Sequence, residues 1–424
     1  MRITFVNTLY PPLGASGAEI TLRFLAKALS MRGHDCTVVT LTPERQQTSG
    51  TIDGIDVHYL PLANVYWPHG GRRPTALRPI FQALDAFNPV METRLGRVLD
   101  ALRPDVVNAH NLQGFSVSAW RAARTRRIPL VQTLHDYYTA CPRSAMWRPA
   151  SGTCTTACAE CRLFATPRRL FSALPATVTV VSHRVFDIIT ASGMFAAARR
   201  GEQPVRVIRG NNPSAALPEP TARECYAPLR LGFMGRLDPT KGIENLLDAV
   251  ASLSQESLTL ALAGAGQEEY AAALHRRAEG NPSIRFLGHV APAQFFRAID
   301  VLVVPSVWED PFPRVFHEAL AYGVPTLATP LGGLQEVIEP GRTGFVASAA
   351  TADALTAAIR SLLALEQHNF DRLREACRAA AMHYSPDRIV GQYEAVLAAA
   401  AAGGEPPESA GEVWRPGVHT KRGS

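Results

Sequence analysis

No stretch of this sequence approaches the ~20 consecutive apolar residues that a membrane-spanning helix needs. The N-terminal segment Met1-Arg2-Ile3-Thr4-Phe5-Val6-Asn7 is no signal peptide, because its apolar run is short and turns at once into a Pro/Gly loop. A cytoplasmic location is the expectation. No compact basic run interleaved with aromatics offers a nucleic-acid platform, so no nucleic-acid partner is expected. Lysine is scarce: Lys27, Lys241 and Lys421 are the only three among 43 basic residues. In so arginine-rich a chain, a lysine in a tight glycine turn marks a place that needs a compact ammonium.

What is present describes a folded enzyme. The apolar fraction is 46% and the charged fraction 19%, which excludes a disordered or fibrous chain. A length of 424 residues is too great for one core and suits two domains. The net charge of +6 is uneven, with residues 1–212 carrying +12 and the remainder −6. The basic half suits an anionic acceptor or peripheral contact with an acidic membrane face, and equally a solvated arginine surface.

Short β-rich runs alternate with helical patterns. Ile3–Val6 reads as a strand, followed by a helix from Gly17 to Arg32 with Leu22, Leu25, Ala26 and Leu29 on one face. Further strands are expected at Cys36–Leu41, Val106–Ala109, Leu130–Leu134 and Val178–Val181. The pattern pauses in a proline-rich stretch and then restarts at Leu231–Met234, Leu258–Ala263 and Val301–Val304. The expected domains are 1–212, a linker at 213–228, a second domain at 229–385, a helix at 386–402 and a disordered tail at 403–424. Alternating β and α elements imply parallel sheets, which bind ligands in the loops after their strands.

The first such loop is Gly235-Arg236-Leu237-Asp238-Pro239-Thr240-Lys241-Gly242. Arg236 and Lys241 project two cations from one turn before a helix, as a diphosphate clamp requires. The spacing is not that of a Walker loop. The second is Pro305-Ser306-Val307-Trp308-Glu309-Asp310-Pro311-Phe312-Pro313-Arg314-Val315-Phe316-His317-Glu318-Ala319. Its prolines hold Asp310 in a loop and start a helix that carries Glu318 among apolar neighbours. A carboxylate in that company needs a specific partner, either a sugar or ribose hydroxyl or a structural cation.

These segments, with Gly332-Gly333-Leu334-Gln335-Glu336 and Pro11-Pro12…Gly17-Ala18-Glu19, resemble the glycosyl transferases group 1 family of retaining, nucleotide-sugar-dependent enzymes. The resemblance extends to about residue 400. It implies the GT-B fold, an α/β architecture of two Rossmann-like doubly wound parallel-sheet domains facing a cleft. It implies a hexosyltransferase of glycan biosynthesis, bacterial in type, whose partners are a nucleotide-diphosphate sugar and a glycan, lipid-linked or small-molecule acceptor. By the same resemblance, Arg236 and Lys241 hold the diphosphate, Glu318 the ribose, and Asp310 or Glu309 the transferred sugar. Main-chain amides around Phe312–Val315, including Arg314, assist at the donor, although Pro313 removes one backbone donor from that set; Val290 lies against the base, and Gly17 closes from the first domain. The chain departs from the family pattern at Asp310 (usually Glu), at Pro313 (usually Gly) and at Ser16 (usually Gly).

On the acceptor side, His135 follows a strand end and is assigned a supporting catalytic role, the alternative being an imidazole that satisfies loop carbonyls. Tyr138, Arg143 and Trp147 are candidates for shaping the acceptor pocket. The same loop carries Cys141, Cys154, Cys158 and Cys161, with twelve, three and two residues between them. A structural zinc fits that spacing, as do buried free thiols; the pattern resembles a family subgroup with a cysteine-bearing insert. Catalysis itself is expected to need no cofactor. A nucleotide-sugar 2-epimerase or a non-catalytic binding protein of the same fold stand as alternatives.

Overall fold

The computed structural model describes residues 1–14, 17–70, 74–148, 152–154, 157–210 and 226–415. The chain forms two compact units, one of Met1–Met146, Cys154–Arg209 and Asp387–Ser424, the other of Trp147–Thr153 and Gly210–Pro386.

The first unit begins with β1 (Arg2–Val6), β2 (Asp35–Thr42), β3 (Thr48–Ile52), β4 (Ile55–Pro61), β5 (Val106–Ala109) and β6 (Leu130–Leu134). A two-stranded hairpin, β7 (Trp147–Arg148) and β8 (Gly152–Thr153), belongs with the other unit. The first unit resumes with β9 (Thr177–Val180) and β10 (Val205–Val207). The second contains β11 (Leu229–Met234), β12 (Leu258–Ala263), β13 (Ile284–Gly288), β14 (Val301–Val304), β15 (Thr326–Ala328) and β16 (Gly344–Val346). The chain then returns to the first unit with β17 (Glu412–Val413).

The first sheet runs β17-β10-β9-β6-β5-β1-β2-β4-β3 and the second β13-β12-β11-β14-β15-β16. Every pairing in them is parallel except β3 with β4 and β17 with β10. Parallel strands covered on both faces need continuous apolar runs, and β5, β6, β9 and β14 are buried throughout. In the second unit, helices Ile243–Ser252 and Ala352–Leu363 build one core with Leu229, Leu231 and Phe233. Helices Pro292–Ala298, Val315–Ala321 and Gln367–Ala381 build a second with Leu302 and Val304. Thr351 caps the helix at Ala352 by accepting from Ala354 N at 3.3 Å.

One expectation about the C-terminal region is corrected. Helix Pro386–Ala401 completes the first unit, where Ile389, Val390, Tyr393, Val396, Leu397 and Ala400 join the core of β1, β2 and helix Gly17–Met31. Residues 403–415 are not a disordered tail. β17 pairs with β10 and covers what would otherwise be a bare sheet edge. Trp414 is 5% exposed, meets Phe186 edge-on at 4.7 Å, and donates through Nε1 to Asp187 at 2.8 Å. Glu412 pairs with His183 at 3.1 Å and with Arg209. Positions 416–424 and the greater part of the linker, 213–225, lie outside the described residues, as does Ser16. Tyr226, at the far end of the linker, stacks on Phe370 at 4.5 Å.

Candidate functional site

The strand order of the second sheet reverses at β11, with β12 on one side and β14 on the other. The loops after β11 and β14 therefore flank the switch point, where open α/β sheets bind ligands. Arg236 and Lys241 occupy the first loop, Glu309 and Asp310 the second.

Asp238 shapes the first loop, accepting from Thr240 N at 3.0 Å and Thr240 Oγ1 at 2.5 Å. Gly242 follows at φ 65°, and a Cβ there would lie 2.0 Å from Pro305 O. Only glycine lets this turn press against the end of β14. The side chains then meet. Lys241 Nζ donates to Asp310 Oδ2 at 2.5 Å and lies 5.6 Å from the centroid of the Trp308 ring. Ser306 Oγ donates to the same Asp310 oxygen at 3.4 Å. Arg236 remains 69% exposed, with only a loose 3.4 Å pairing to Asp238.

The second loop is held from behind. Gly332 N donates to Glu309 Oε2 at 2.7 Å, and Gly333 N to Asp310 O at 3.0 Å. Gly332 has φ 74°, and a Cβ on it would meet Asp310 O at 2.0 Å. The Gly-Gly step thus fixes the backbone that presents both carboxylates, while the Glu309 carboxylate itself is turned to Gly332 and buried. Glu318 pairs with Arg314 at 3.1 Å, one helical turn earlier. Burial pushes its carboxyl up and Arg314 draws it back. Phe312 stacks on His317 at 5.0 Å, behind Pro313 and Val315. Val290 follows β13, two strands from β11, half-buried against the core that contains Val304.

In the first unit, His135 follows β6. Its Nε2 lies 2.8 Å from His110 Nδ1, with the rings nearly parallel at 5.1 Å. Burial draws the His135 imidazole down to about 4, and burial with the neighbouring His135 holds His110 well below the usual histidine value. Asp136 accepts from Tyr138 N at 2.8 Å, and burial pushes its carboxyl up to about 6. Tyr138 is buried beneath Arg168, whose guanidinium stands 4.1 Å from the ring centroid. Arg168 pairs with Asp85 at 3.0 Å in a fully buried bridge, and Asp85 also takes the amide of Gly114 at 2.5 Å. Arg143 reaches Glu160 at 3.5 Å. Trp147 groups with the second unit. Gly17 opens helix Gly17–Met31, with space where a Cβ would stand. A small, half-open cavity is lined by Thr8, Glu19, Asn111, Gln113, Asp136 and Tyr138, among others.

The cysteines are drawn only partly together. Cys141 is pulled down to about 6 by the Cys161 thiol and by the amides of Arg143, Met146 and Ala145, against the effect of burial. Cys161 also touches Cys158 and is pushed up. Cys158 Sγ accepts from Cys161 N at 3.4 Å and caps the helix that starts at Ala159. Cys141, Cys154, Cys158 and Cys161 form no disulfide. Among the described residues, no group of three or more His, Cys, Asp or Glu side chains is placed to hold a metal ion.

Three features escaped sequence reasoning: His110, Asn108 and the Asp85–Arg168 bridge. His110 carried the same signal as His135, a histidine just beyond a strand end.

The family described as glycosyl transferases group 1 matches residues 228–365, and the glycosyl transferase 4-like domain matches residues 16–209. The chain belongs to the glycosyl transferases group 1 family. Members of that family carry out glycosyl transfer, and this chain is a glycosyltransferase of the GT-B fold. It is 28% identical to a glycogen synthase of Mycobacterium tuberculosis over 86% of each chain. It is 26% identical to an uncharacterised 42.6 kDa protein in the cps region of Klebsiella pneumoniae, over 80% of this chain and 87% of the other. Among solved structures, Anabaena HepE in complex with UDP and glucose superposes with a TM-score of 0.66 at 21% identity, covering 94% of this chain and 99% of that one. No described helix of this glycosyltransferase is long and apolar enough to cross a membrane.

Proposed function

We propose that the chain is a retaining glycosyltransferase that moves a hexose-type sugar from a nucleoside-diphosphate donor to a glycan, lipid-linked or small-molecule acceptor. The observation that carries this reading is the Lys241–Asp310 pair at the switch point of the second sheet, 2.5 Å apart and beside the exposed Arg236. A donor diphosphate would draw Lys241 away from Asp310 and take the Arg236 fork as well, leaving Asp310 to receive hydroxyls of the sugar. Glu318 would exchange Arg314 for ribose hydroxyls. The UDP and glucose bound by HepE make a uridine donor the first to try.

In the transfer, the bond from the anomeric carbon to the diphosphate oxygen breaks. A bond from the acceptor oxygen forms on the same face, and the acceptor proton leaves on the diphosphate. Two cations fixed at the leaving group lower the barrier, because the charge they meet develops in the transition state. The arginines of the first half would meet anionic headgroups where the acceptor is carried on a lipid.

A panel of nucleotide sugars tests the reading by thermal shift, by turnover and by NMR of the product anomer. The expected result is one stabilising donor and a product that keeps the donor's anomeric configuration. In Lys241→Ala the donor-dependent shift disappears and turnover falls by roughly 100-fold or more, a typical loss for a group that stabilises developing charge. Unchanged turnover in a folded Lys241→Ala protein, or an inverted product, overturns the proposal.

A further inference from the structure

A buried polar ladder crosses the first sheet and ends on His135. The hydroxyl of Tyr393, on the returning helix Pro386–Ala401, hydrogen-bonds with those of Thr179 on β9 and Thr133 on β6. Thr179 Oγ1 donates to Thr133 Oγ1 at 2.8 Å. Asn108, on β5, donates from Nδ2 to Val131 O at 3.2 Å and to Thr133 Oγ1 at 2.9 Å. Its Oδ1 lies 2.9 Å from His110 Nε2, and His110 Nδ1 lies 2.8 Å from His135 Nε2.

The direction of each bond follows from which groups can only accept. Val131 O is a carbonyl, so the Asn108 atom facing it is the NH2 group. The atom facing His110 is then the amide oxygen, and His110 Nε2 must carry a proton. A neutral His110 has its lone pair on Nδ1, so His135 Nε2 must donate to it. The remaining nitrogen, His135 Nδ1, holds a lone pair and has no hydrogen-bond partner among the described residues. Both rings are neutral through the physiological range; burial acts on each, and no carboxylate contributes to either shift.

We infer that Asn108 and His110 are positioning residues that lock His135 as a neutral imidazole protonated on Nε2, so that Nδ1 accepts a hydrogen bond from a hydroxyl of the bound sugar substrate. The inference rests on the transferase reading for its substrate, but not for its tautomer. His135 in this state takes a hydroxyl and protonates nothing. Without the lock, the ring could turn its proton toward the substrate and repel the same hydroxyl hydrogen.

The test separates the two levels. On the full chain with 15N-labelled histidine, NMR should show His135 with a protonated Nε2 and a bare Nδ1, unchanged from pH 8 to pH 5. A His135 protonated on Nδ1, or titrating near 6.5, overturns the lock whether or not the chain turns over. In His110→Leu, where burial still holds the ring neutral, His135 should lose its fixed tautomer, with the proton shared between Nδ1 and Nε2, and transfer should fall several-fold at every pH. His110→Asn restores an acceptor for Nε2–H and should restore both the bare Nδ1 and transfer. A variant His110→Leu with the wild-type tautomer and wild-type transfer, or His110→Asn behaving as His110→Leu, removes His110 from the positioning role. Where His110→Leu fails to fold, the wild-type spectrum and His110→Asn still decide. A locked tautomer in a chain with no transfer to any acceptor would instead count against the transferase reading alone.

Discussion

His317 is 1% exposed, and neither of its ring nitrogens has a hydrogen-bond partner. It is held by stacking alone, on Phe312 at 5.0 Å and against Tyr384 at 4.5 Å. Leaving a buried polar group unpaired costs about 1–3 kcal/mol. His317→Phe keeps the ring stack and removes that cost, so its melting temperature should exceed that of the wild type. The gain should grow in acid. Burial lowers the His317 imidazole to about 3, while the unfolded chain titrates near 6.5. Between those values the unfolded state binds the extra proton, so the wild type loses stability as pH falls below about 6.5. Each unit is worth about 1.4 kcal/mol for one group. Urea titrations at pH 7 and pH 5 should therefore show the advantage of His317→Phe widening by roughly 2 kcal/mol. An advantage that stays constant would mean His317 is not buried as a neutral ring. At this scale the sequence was legible where chemistry and topology coincided. Lys241 and Asp310 stood out because a rare lysine and a proline-bounded carboxylate each followed a strand. Their mutual pairing was not legible, because 69 residues separate them. Nor was the turning of Glu309 toward Gly332 N, which depends on a glycine pair 23 positions away.

At the scale of elements, the strands and helices that carry periodic apolar residues were readable, and the short closing strand was not. β17 has two residues and no pattern, and its surroundings are rich in Gly, Pro and Glu. Its place comes from partners distant in sequence: β10, Asp187, His183 and the carbonyls of Pro406 and Pro407, which receive Arg206. Trp414→Ala should lower the urea midpoint by the equivalent of about 3–5 kcal/mol, the usual cost of emptying a buried aromatic site. Limited proteolysis should then release the segment after residue 403 first. A loss below about 0.5 kcal/mol would mean the strap contributes nothing to the first unit.

For the whole molecule, each unit has its own sheet and its own core. Calorimetry of the full chain should resolve two transitions. A nucleoside diphosphate at 100 times its Kd should stabilise one of them by about 2.7 kcal/mol and leave the other where it was. Stabilisation of the transition that Trp414→Ala also lowers would move the donor site to the first unit. The alternation of β and α segments announced two parallel sheets. It did not announce that the first unit recruits its last helix from beyond the second, because an amphipathic helix does not say which core it will cover.

That return has a consequence for how the protein is made. Helix Pro386–Ala401 supplies six buried side chains to the first unit, yet 177 residues lie between Arg209, where that unit breaks off, and Asp387, where it resumes on the growing chain. At ~5–20 residues per second, a ribosome needs roughly ten seconds or more to cover that distance. For that time the core that helix Gly17–Met31 shares with the returning helix stays incomplete, while the second unit has everything it needs to fold. The nascent chain is thus most exposed to chaperones and to aggregation on the half that was synthesised first.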